Sequence, residues 1–195
     1  MLMRTWAEQA WAKEDPWGRD DRHLDAATLH AKLGELTAPP QGLGRVLGLT
    51  IRLPKQGRLT PDQLTLCPER GVIGDRWEAG KQDPLTQVSL IRADVAHLIA
   101  NGQHGALFGD NLLADLDLSE AHLSPGCRLR IGSALCELST EHHGPCHQFT
   151  RRFGLDARRL VEDPRHSSER LRGIYLRIIE PGIVRISDTI EVLGP

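Results

Sequence analysis

The sequence predicts a mainly β fold: a closed or nearly closed β-barrel decorated by helices and preceded by a short N-terminal helical extension. Two observations predict this class. From residue 44 onward, short apolar or alternating runs are separated by Gly and Pro turns, which is typical of strands. Only a few segments show the periodicity of an amphipathic helix. Many short strands with few helices favour a barrel, because closure pairs the edge strands with each other.

Length and composition are those of a globular chain. Its 195 residues, of which 39% are hydrophobic and 26% charged, are enough for one well-buried core and an extension. We therefore divide the chain into an extension over residues 1–43 and a barrel domain over residues 44–195. The net charge of −2 offers no basic surface for nucleic acid.

The sequence contains no signal for a membrane or an oxidising compartment. The N-terminus lacks the pattern of a signal peptide, and no stretch approaches the roughly 20 apolar residues that span a bilayer. The cysteines are well separated and form no C-x2-C pair: Cys67, Cys127, Cys136 and Cys146. We expect a cytoplasmic protein with free thiols that contacts neither a membrane nor nucleic acid.

The first part of the chain contains a tryptophan cluster and one predicted helix. Trp6, Trp11 and Trp17 lie within residues 1–23. Because exposed tryptophans are costly, this segment is predicted to pack against the barrel or against a second subunit, as in a homodimer. Residues 25–36 carry leucines at helical spacing and are predicted as a helix.

The barrel region alternates predicted strands with turns. Strands are predicted at residues 45–51, 63–67, 87–90, 128–131, 134–140, 171–179, 184–186 and 189–192. Helices are predicted at residues 91–99 and 156–162. Residues 107–112 are predicted as a glycine loop and residues 162–169 as a polar, mobile segment. A Pro-Gly turn followed by an Arg-Ile strand occurs twice, which predicts two similar hairpins.

The most informative stretch runs from residue 141 to 149 and places one cysteine among three histidines. Gly144 and Pro145 break regular structure, so Cys146 should lie on a loop or at the start of the next element. A thiolate is a nucleophile and a soft metal ligand, and a nearby imidazolium or helix N-terminus favours it. We predict Cys146 as the functional centre, kept deprotonated by one of His142, His143 and His147.

Two alternatives for this stretch remain open. Cys146 can be a small hydrophobic residue without chemistry, as many intracellular cysteines are. Cysteine and histidine are also the usual ligands of zinc. Structural zinc sites, however, usually draw on closely paired ligands such as C-x2-C, and the chain has no such pair.

Five motifs occur in an order that resembles the MOSC domain family, named for the C-terminal domain of molybdenum cofactor sulfurase. They are Gly-Asp-Arg at 74–76, Phe-Gly-Asp-Asn-Leu at 108–112, Leu-Ser-Pro-Gly-Cys-Arg-Leu-Arg-Ile-Gly at 123–132, Gly-Pro-Cys at 144–146 and Arg-Gly-Ile-Tyr at 172–175. The resemblance covers residues 44–193 and implies a β-barrel. It implies that Cys146 carries sulfur as a persulfide or binds the molybdenum of a pterin cofactor. It also implies a pocket that is lined or shaped by Asp75, Asn111, Arg172 and Gly173.

The chain departs from the common family pattern at two of these motifs. Trp77 follows Gly-Asp-Arg where many members have His, and Asp110 replaces the more usual Glu before Asn111. No ferredoxin-type cysteine cluster is present. No pyridoxal-phosphate-dependent desulfurase domain is attached, and no covalent pyridoxal phosphate site is expected in this chain. Sulfur transfer would therefore need a separate desulfurase as sulfur donor, and reduction a separate electron-donor protein.

Three functions follow as alternatives. The first is a protein that binds the molybdenum–pterin cofactor or carries sulfur on Cys146, with the pterin phosphate held by Arg151, Arg152 or Arg172. The second is a molybdenum-dependent reductase of N-hydroxylated compounds, the activity of relatives such as the mitochondrial amidoxime-reducing component. The third is a non-catalytic barrel that acts in binding or assembly. We favour the first, because no redox domain is attached.

Overall fold

The computed structural model describes residues 15–80 and 82–194. Within them the chain forms twelve strands: β1 (Leu43–Leu49), β2 (Ile51–Arg52), β3 (Arg58–Leu59), β4 (Gln63–Cys67), β5 (Gly71–Val72), β6 (Val88–Arg92), β7 (Leu112–Asp115), β8 (Arg128–Ile131), β9 (Ala134–Leu138), β10 (Ile174–Glu180), β11 (Gly182–Arg185) and β12 (Thr189–Gly194). The α-helices are α1 (Ala26–Gly34), α2 (Ala93–Ala100), α3 (His147–Phe153) and α4 (Leu155–Val161). Short 3-10 helices lie at Asp20–Arg22, Pro54–Gln56, Pro84–Thr86, Gly105–Phe108 and Pro164–Glu169. None of the helices in this part of the chain is long and apolar enough to cross a membrane.

Seven strands close into a barrel in the order β1-β12-β8-β9-β10-β6-β7. Neighbouring strands are antiparallel, except that β6 and β7 run parallel and are connected through α2. β11, β4 and β5 form a separate three-stranded sheet, and β2 pairs with β3. This closed barrel with its few helices confirms the predicted fold class.

Alternation along the strands fills the barrel interior with aliphatic side chains. In β8, Leu129 and Ile131 are fully buried whereas Arg128 is exposed. In β12, Ile190 is buried between two exposed neighbours. Burial of each such side chain stabilises the fold by about 1.5–3 kcal/mol. The period-two pattern that predicted these strands is therefore the pattern that builds the core.

The helices pack against the barrel through a second apolar cluster. Ile91 of β6 and Leu113 of β7 join Phe149 and Phe153 of α3 in this cluster. Phe108 stacks on Phe153 with ring centroids 4.2 Å apart. This packing holds α3 against β6 and β7, and it thereby fixes the position of the residue that begins α3.

The N-terminal part of the described chain contains the predicted helix. α1 begins after Asp25, whose carboxylate accepts a hydrogen bond at 2.7 Å from a backbone N–H of the first turn. Trp6 and Trp11 lie outside the described residues. The division of the chain at residue 43 and the homodimer stay predictions, although β1 begins at Leu43.

Several local predictions are wrong. Ile91 belongs to β6, so α2 begins at Ala93, because a short apolar run fits a buried strand as well as a helix. The predicted glycine loop at 107–112 overlaps a 3-10 helix and runs directly into β7. Within the polar segment at 162–169, predicted as mobile, residues 164–169 form a 3-10 helix, and the Asp163 side chain caps it by accepting from the backbone N–H of Arg165.

The two Pro-Gly patterns do not form similar hairpins. β8 and β9 form a hairpin in which Ile131 lies opposite Ala134. β11 instead pairs with β4 outside the barrel, with Gly182 opposite Leu66. A side chain at Gly182 would collide with the backbone of Ala134, so this glycine permits β11 to pass close to the β8–β9 turn.

Gly173→Ala should destabilise the barrel strongly. Gly173 has a φ of +96°, and a side chain there would overlap the carbonyl oxygen of Leu90 in the neighbouring strand β6. We expect the free energy of unfolding, measured by urea denaturation, to fall by at least about 2 kcal/mol. Gly34→Ala is the control, because open space surrounds Gly34 at the end of α1. Equal effects of the two substitutions would contradict this account.

Candidate functional site

The loop after β9 carries Cys146 to the N-cap position of α3, where the cysteine has an extended backbone. Cys146 is exposed, whereas Cys127 and Cys136 are buried and Cys67 is partly buried. Burial raises the pKa of the Cys136 thiol to about 12 and also raises the pKa of Cys127. Among the four cysteines, Cys146 is therefore the most accessible to a reagent, a metal or a partner.

Cys146 lines a cavity of about 100 Å³ with strongly basic walls, here called the arginine pocket. Within the described residues no carboxylate lines this cavity, but five guanidinium groups do: those of Arg52, Arg58, Arg76, Arg152 and Arg172. These residues come from β2, β3, the loop after β5, α3 and the segment just before β10. The fold therefore gathers positive charge around one thiol, an arrangement that favours anions.

A buried carboxylate behind the pocket holds Arg52. Asp75 is 2% exposed and forms an ion pair with Arg52, with Nη2 and Oδ1 2.8 Å apart. Asp75 also accepts hydrogen bonds from the backbone N–H of Arg52 and from the side-chain amide of Asn111. Burial would raise the pKa of Asp75, but the Arg52 guanidinium and the backbone N–H groups of Trp77 and Arg52 hold it below its usual range. Asp75 and Asn111 therefore support the pocket from behind.

A second buried carboxylate, Asp110, fixes Arg172. The Arg172 Nη1 group donates to Asp110 Oδ2 at 2.7 Å. Burial raises the pKa of the Asp110 carboxyl, and the neighbouring guanidinium opposes that rise. His143 Nε2 lies 3.5 Å from Asp110 Oδ1, and the His143 ring packs 4.1 Å from the centre of the Tyr175 ring. Desolvation, together with the positive charge of Arg172, holds the pKa of His143 well below its ordinary value.

This cluster contains three buried polar atoms that have no hydrogen-bond partner: Asp110 Oδ1, His143 Nδ1 and Arg172 Nε. The 3.5 Å contact between His143 and Asp110 is too poorly aligned to count as a hydrogen bond. Leaving a buried polar atom unpaired typically costs about 1–3 kcal/mol. Such atoms beside a cavity indicate a place where a bound group completes the hydrogen bonding.

The other three guanidinium groups have no carboxylate partner among the described residues. Arg58 donates to three backbone carbonyl oxygens, and burial together with the charges of Arg152 and Arg76 lowers its pKa to about 10. Arg152 donates to two backbone carbonyl oxygens and to the side chain of Gln56, and burial lowers its pKa. Arg76 is exposed. Positive charge is thus in excess at the pocket.

The structure brings together some of the predicted site residues and separates others. Cys146, His143, Arg152 and Arg172 line the arginine pocket. His142 and Gly173 line a neighbouring cleft together with His143. His147 is exposed on the first turn of α3. Arg151 lies outside the arginine pocket, with its guanidinium 5.0 Å from the centre of the Trp17 ring.

Sequence reasoning missed Arg52, Arg58 and Arg76 as site residues. Arg76 lies within the Gly-Asp-Arg motif, so its place beside Asp75 was the one available signal. Arg52 and Arg58 lie on two-residue strands without any motif, and only the tertiary fold brings them to Cys146. Within residues 15–80 and 82–194, no group of three or more His, Cys, Asp and Glu side chains is arranged to hold a metal ion.

Iodoacetamide at neutral pH should modify Cys146 first in the folded protein. Cys67 should react more slowly, because it is partly buried and its thiol donates to the Glu69 carboxylate at 3.1 Å. Cys127 and Cys136 should react only after unfolding, because both are buried. Peptide mass spectrometry over a time course measures the four rates. Modification of Cys136 in the folded protein as fast as that of Cys146 would refute this ordering.

Protonation of His143 should oppose folding in acid. Its pKa is lowered from 6.5 in the folded state, so below that pH the unfolded chain binds a proton that the folded chain does not. This difference removes up to about 1.4 kcal/mol of unfolding free energy per pH unit. His143→Gln should abolish the contribution, so the stability gap between wild type and variant should change as the pH falls from about 7 to 5. Urea denaturation across this range measures the gap, and a gap independent of pH would contradict the assignment.

Solved structures share the fold. A hypothetical protein of known crystal structure matches with a TM-score of 0.57 and 21% identity, over 80% of this chain and 70% of its own. The YuaD protein from Bacillus subtilis matches with a TM-score of 0.53 and 21% identity, over 80% of this chain and 98% of its own. YiiM from Escherichia coli matches with a TM-score of 0.53 and 21% identity, over 77% of this chain and 70% of its own. At this identity the likeness shows the barrel fold alone.

The sequence also matches a family profile directly. No curated protein sequence shows significant similarity to the chain. The profile of the MOSC domain matches residues 93–191, which is half of the chain and runs from α2 to β12. The matched region includes four of the five motifs on which the resemblance rests, and it contains Cys146 and Arg172. The chain belongs to the MOSC domain family.

Proposed function

We propose that this MOSC protein binds an anionic molybdenum–pterin cofactor at the arginine pocket, with the Cys146 thiolate as a ligand of the metal. One observation carries the proposal: five guanidinium groups and no described carboxylate line the cavity beside an exposed thiol. Family membership supports it, because the MOSC family is associated with this cofactor.

The charge of the pocket suits such a cofactor. Arg58 and Arg152 have no carboxylate partner among the described residues, and burial depresses the pKa of both. A phosphate between them would relieve their mutual repulsion and accept paired N–H donors. Arg172 is already oriented by Asp110, so it contributes a fixed positive group at little further entropic cost.

The size of the pocket limits what enters it. Its volume of about 100 Å³ is below the several hundred Å³ of an ordinary small-molecule site. The arginine pocket would therefore hold the phosphate of the cofactor, and the rest of the cofactor would lie outside it. Cys146 and Arg76 are both exposed, so the site is open on their side.

Among the described residues that line the pocket, Cys146 is the one whose side chain could act as a soft ligand of molybdenum. A thiolate is the ligand type that soft metal centres prefer, and the bound metal would supply the redox chemistry that these side chains lack. Of the three histidines near Cys146, His143 alone lines the arginine pocket, and burial keeps it neutral. Because its pKa is held well below the ordinary value, His143 is a weak base for the thiol, and the guanidinium groups of the pocket are the groups that favour the thiolate.

The exposure of Cys146 favours a second candidate function, transport of sulfur. The Cys146 thiolate would attack the terminal sulfur of a donor persulfide, forming a new S–S bond while the donor cysteine leaves as a thiolate. A separate pyridoxal-phosphate-dependent desulfurase would be such a donor. Reduction of N-hydroxylated compounds would require an electron-donor protein, and no contact among the described residues favours that activity over the other two.

Arg76→Ala should lower cofactor loading while leaving the fold intact. Arg76 is exposed, and its guanidinium makes no hydrogen bond or ion pair within the described part of the chain. Loss of one charged contact to phosphate should reduce the pterin content of purified protein about tenfold. The protein is expressed in cells that make the cofactor, and molybdenum and pterin are measured per chain.

Arg151→Ala is the matched control, because Arg151 is also an exposed arginine but lies against Trp17 outside the pocket. Cys146→Ser should lose the metal. Equal loading of the Arg76 and Arg151 variants would refute the arginine pocket as the cofactor site. A wild-type protein without molybdenum but with a labile sulfur on Cys146 would establish the carrier instead. A wild-type protein that contains neither molybdenum nor a labile sulfur would support the third function, a non-catalytic barrel that acts in binding or assembly.

A further inference from the structure

A second, larger cavity lies next to the arginine pocket and shares two residues with it. This cavity, here called the acidic cleft, has a volume of about 420 Å³. It lies between the loop after β9, the end of α4 and the segment leading into β10. His143 and Arg172 line both cavities, so they form the wall between the two.

The polarity of the acidic cleft is opposite to that of the arginine pocket. Four carboxylates line it, those of Glu120, Glu141, Glu162 and Asp163, against the guanidinium groups of Arg170 and Arg172. Arg172 is paired with Asp110 from behind, and Arg170 donates to two backbone carbonyl oxygens. The cleft therefore offers mainly hydrogen-bond acceptors.

The carboxylates of the cleft differ in how much of their charge is already compensated. Glu162 pairs with Arg158, and Asp163 pairs with Arg165. The Glu141 side chain forms no ion pair or hydrogen bond within residues 15–80 and 82–194. Glu141 therefore remains available to a ligand.

His143 supplies an independent sign of a ligand. Its side chain is 4% exposed, it lies in the wall of the cleft, and its Nδ1 has no hydrogen-bond partner. The ring is neutral, because desolvation and the positive charge of Arg172 hold the pKa of His143 well below its ordinary value. Nε2 lies 3.5 Å from Asp110 Oδ1 without forming a hydrogen bond, and the nearby carboxylate favours the tautomer that carries the proton on Nε2. Nδ1 is then a buried acceptor that requires a donor.

Part of the remaining wall of the cleft is apolar and is formed by Leu138, Val161, Leu171 and Ile174 together with Pro125. The other part carries polar side chains, those of Ser139, Thr140, His142, His166 and Ser167. Leu138, Leu171 and Ile174 belong to the buried core, so this surface is rigid. An apolar surface beside acceptors suits a ligand that has a hydrocarbon body and a charged donor at one end.

We propose that the acidic cleft binds an organic ammonium ion with an apolar body, whose N–H groups donate to His143 Nδ1 and to Glu141. The apolar body packs on the leucine and isoleucine side chains of the wall. The cleft is a different cavity from the arginine pocket, although His143 and Arg172 line both, and Cys146 does not line it, so the proposal does not depend on a cofactor at Cys146.

Phenethylammonium is the probe, and titration calorimetry of the full chain measures its affinity. It should bind, whereas the neutral 2-phenylethanol and the anionic 3-phenylpropionate should bind at least about fivefold more weakly, because neither supplies a charged donor. In ¹⁵N-histidine-labelled protein, the Nδ1 resonance of His143 should shift on addition of the ammonium ion. An undetectable interaction, equal binding of the alcohol, or an unmoved resonance would each overturn the proposal.

Glu141→Gln tests the carboxylate without risk to the fold, because Glu141 is exposed. The substitution should weaken phenethylammonium binding about three- to fivefold, as expected for one solvated charge pair. Glu35→Gln is the matched control, since Glu35 is an exposed carboxylate outside the cleft. If the two variants bind the ammonium ion equally well, the assignment of the cleft fails.

Discussion

The candidate site depends on the mutual repulsion of the positively charged arginines that the fold brings to one cavity. Two buried carboxylates, Asp75 and Asp110, neutralise Arg52 and Arg172 and hold them in place. Burying a charge is costly unless it is paired, and Arg58 and Arg152 are solvated only by carbonyl oxygens and an amide. The folded chain therefore retains an unbalanced positive potential beside Cys146. A bound anion would remove that imbalance, so the same feature that costs stability provides affinity.

The barrel gives this arrangement its rigidity. Only Gly173 separates Arg172 from β10, and this glycine lets the chain pass against Leu90 of β6. One close backbone contact therefore fixes both the strand and the guanidinium. On the other side, Phe149 and Phe153 anchor α3 in the second apolar cluster and so place Cys146. Charged groups that would repel each other in a flexible loop are kept together because their backbones belong to a packed wall.

The sequence predicted the barrel because alternation is a local property, which Leu129 and Ile131 of β8 display within a few residues. It missed β7 because Leu112–Asp115 is buried on both faces and shows no alternation, as is usual for a strand in a parallel pair. Cys146, which the structure exposes beside the arginine pocket, could be singled out because its histidines and the Gly-Pro pair are neighbours in sequence. Arg52 and Arg58 were missed because nothing local separates an arginine that lines a pocket from one that faces solvent. The family resemblance pointed to Asp75 and Asn111, which lie one layer behind the cavity.

The hydrogen bonds of Arg152 extend the site beyond the barrel. Its Nε group donates to the carbonyl oxygen of Pro16 at 2.8 Å, and a side chain at Gly18 would meet the Arg152 backbone. A chain cut back to the first barrel strand would keep its sheet but lose one of the three acceptors that orient this guanidinium. The functional unit therefore extends upstream at least to residue 16, well before the point at which the barrel begins.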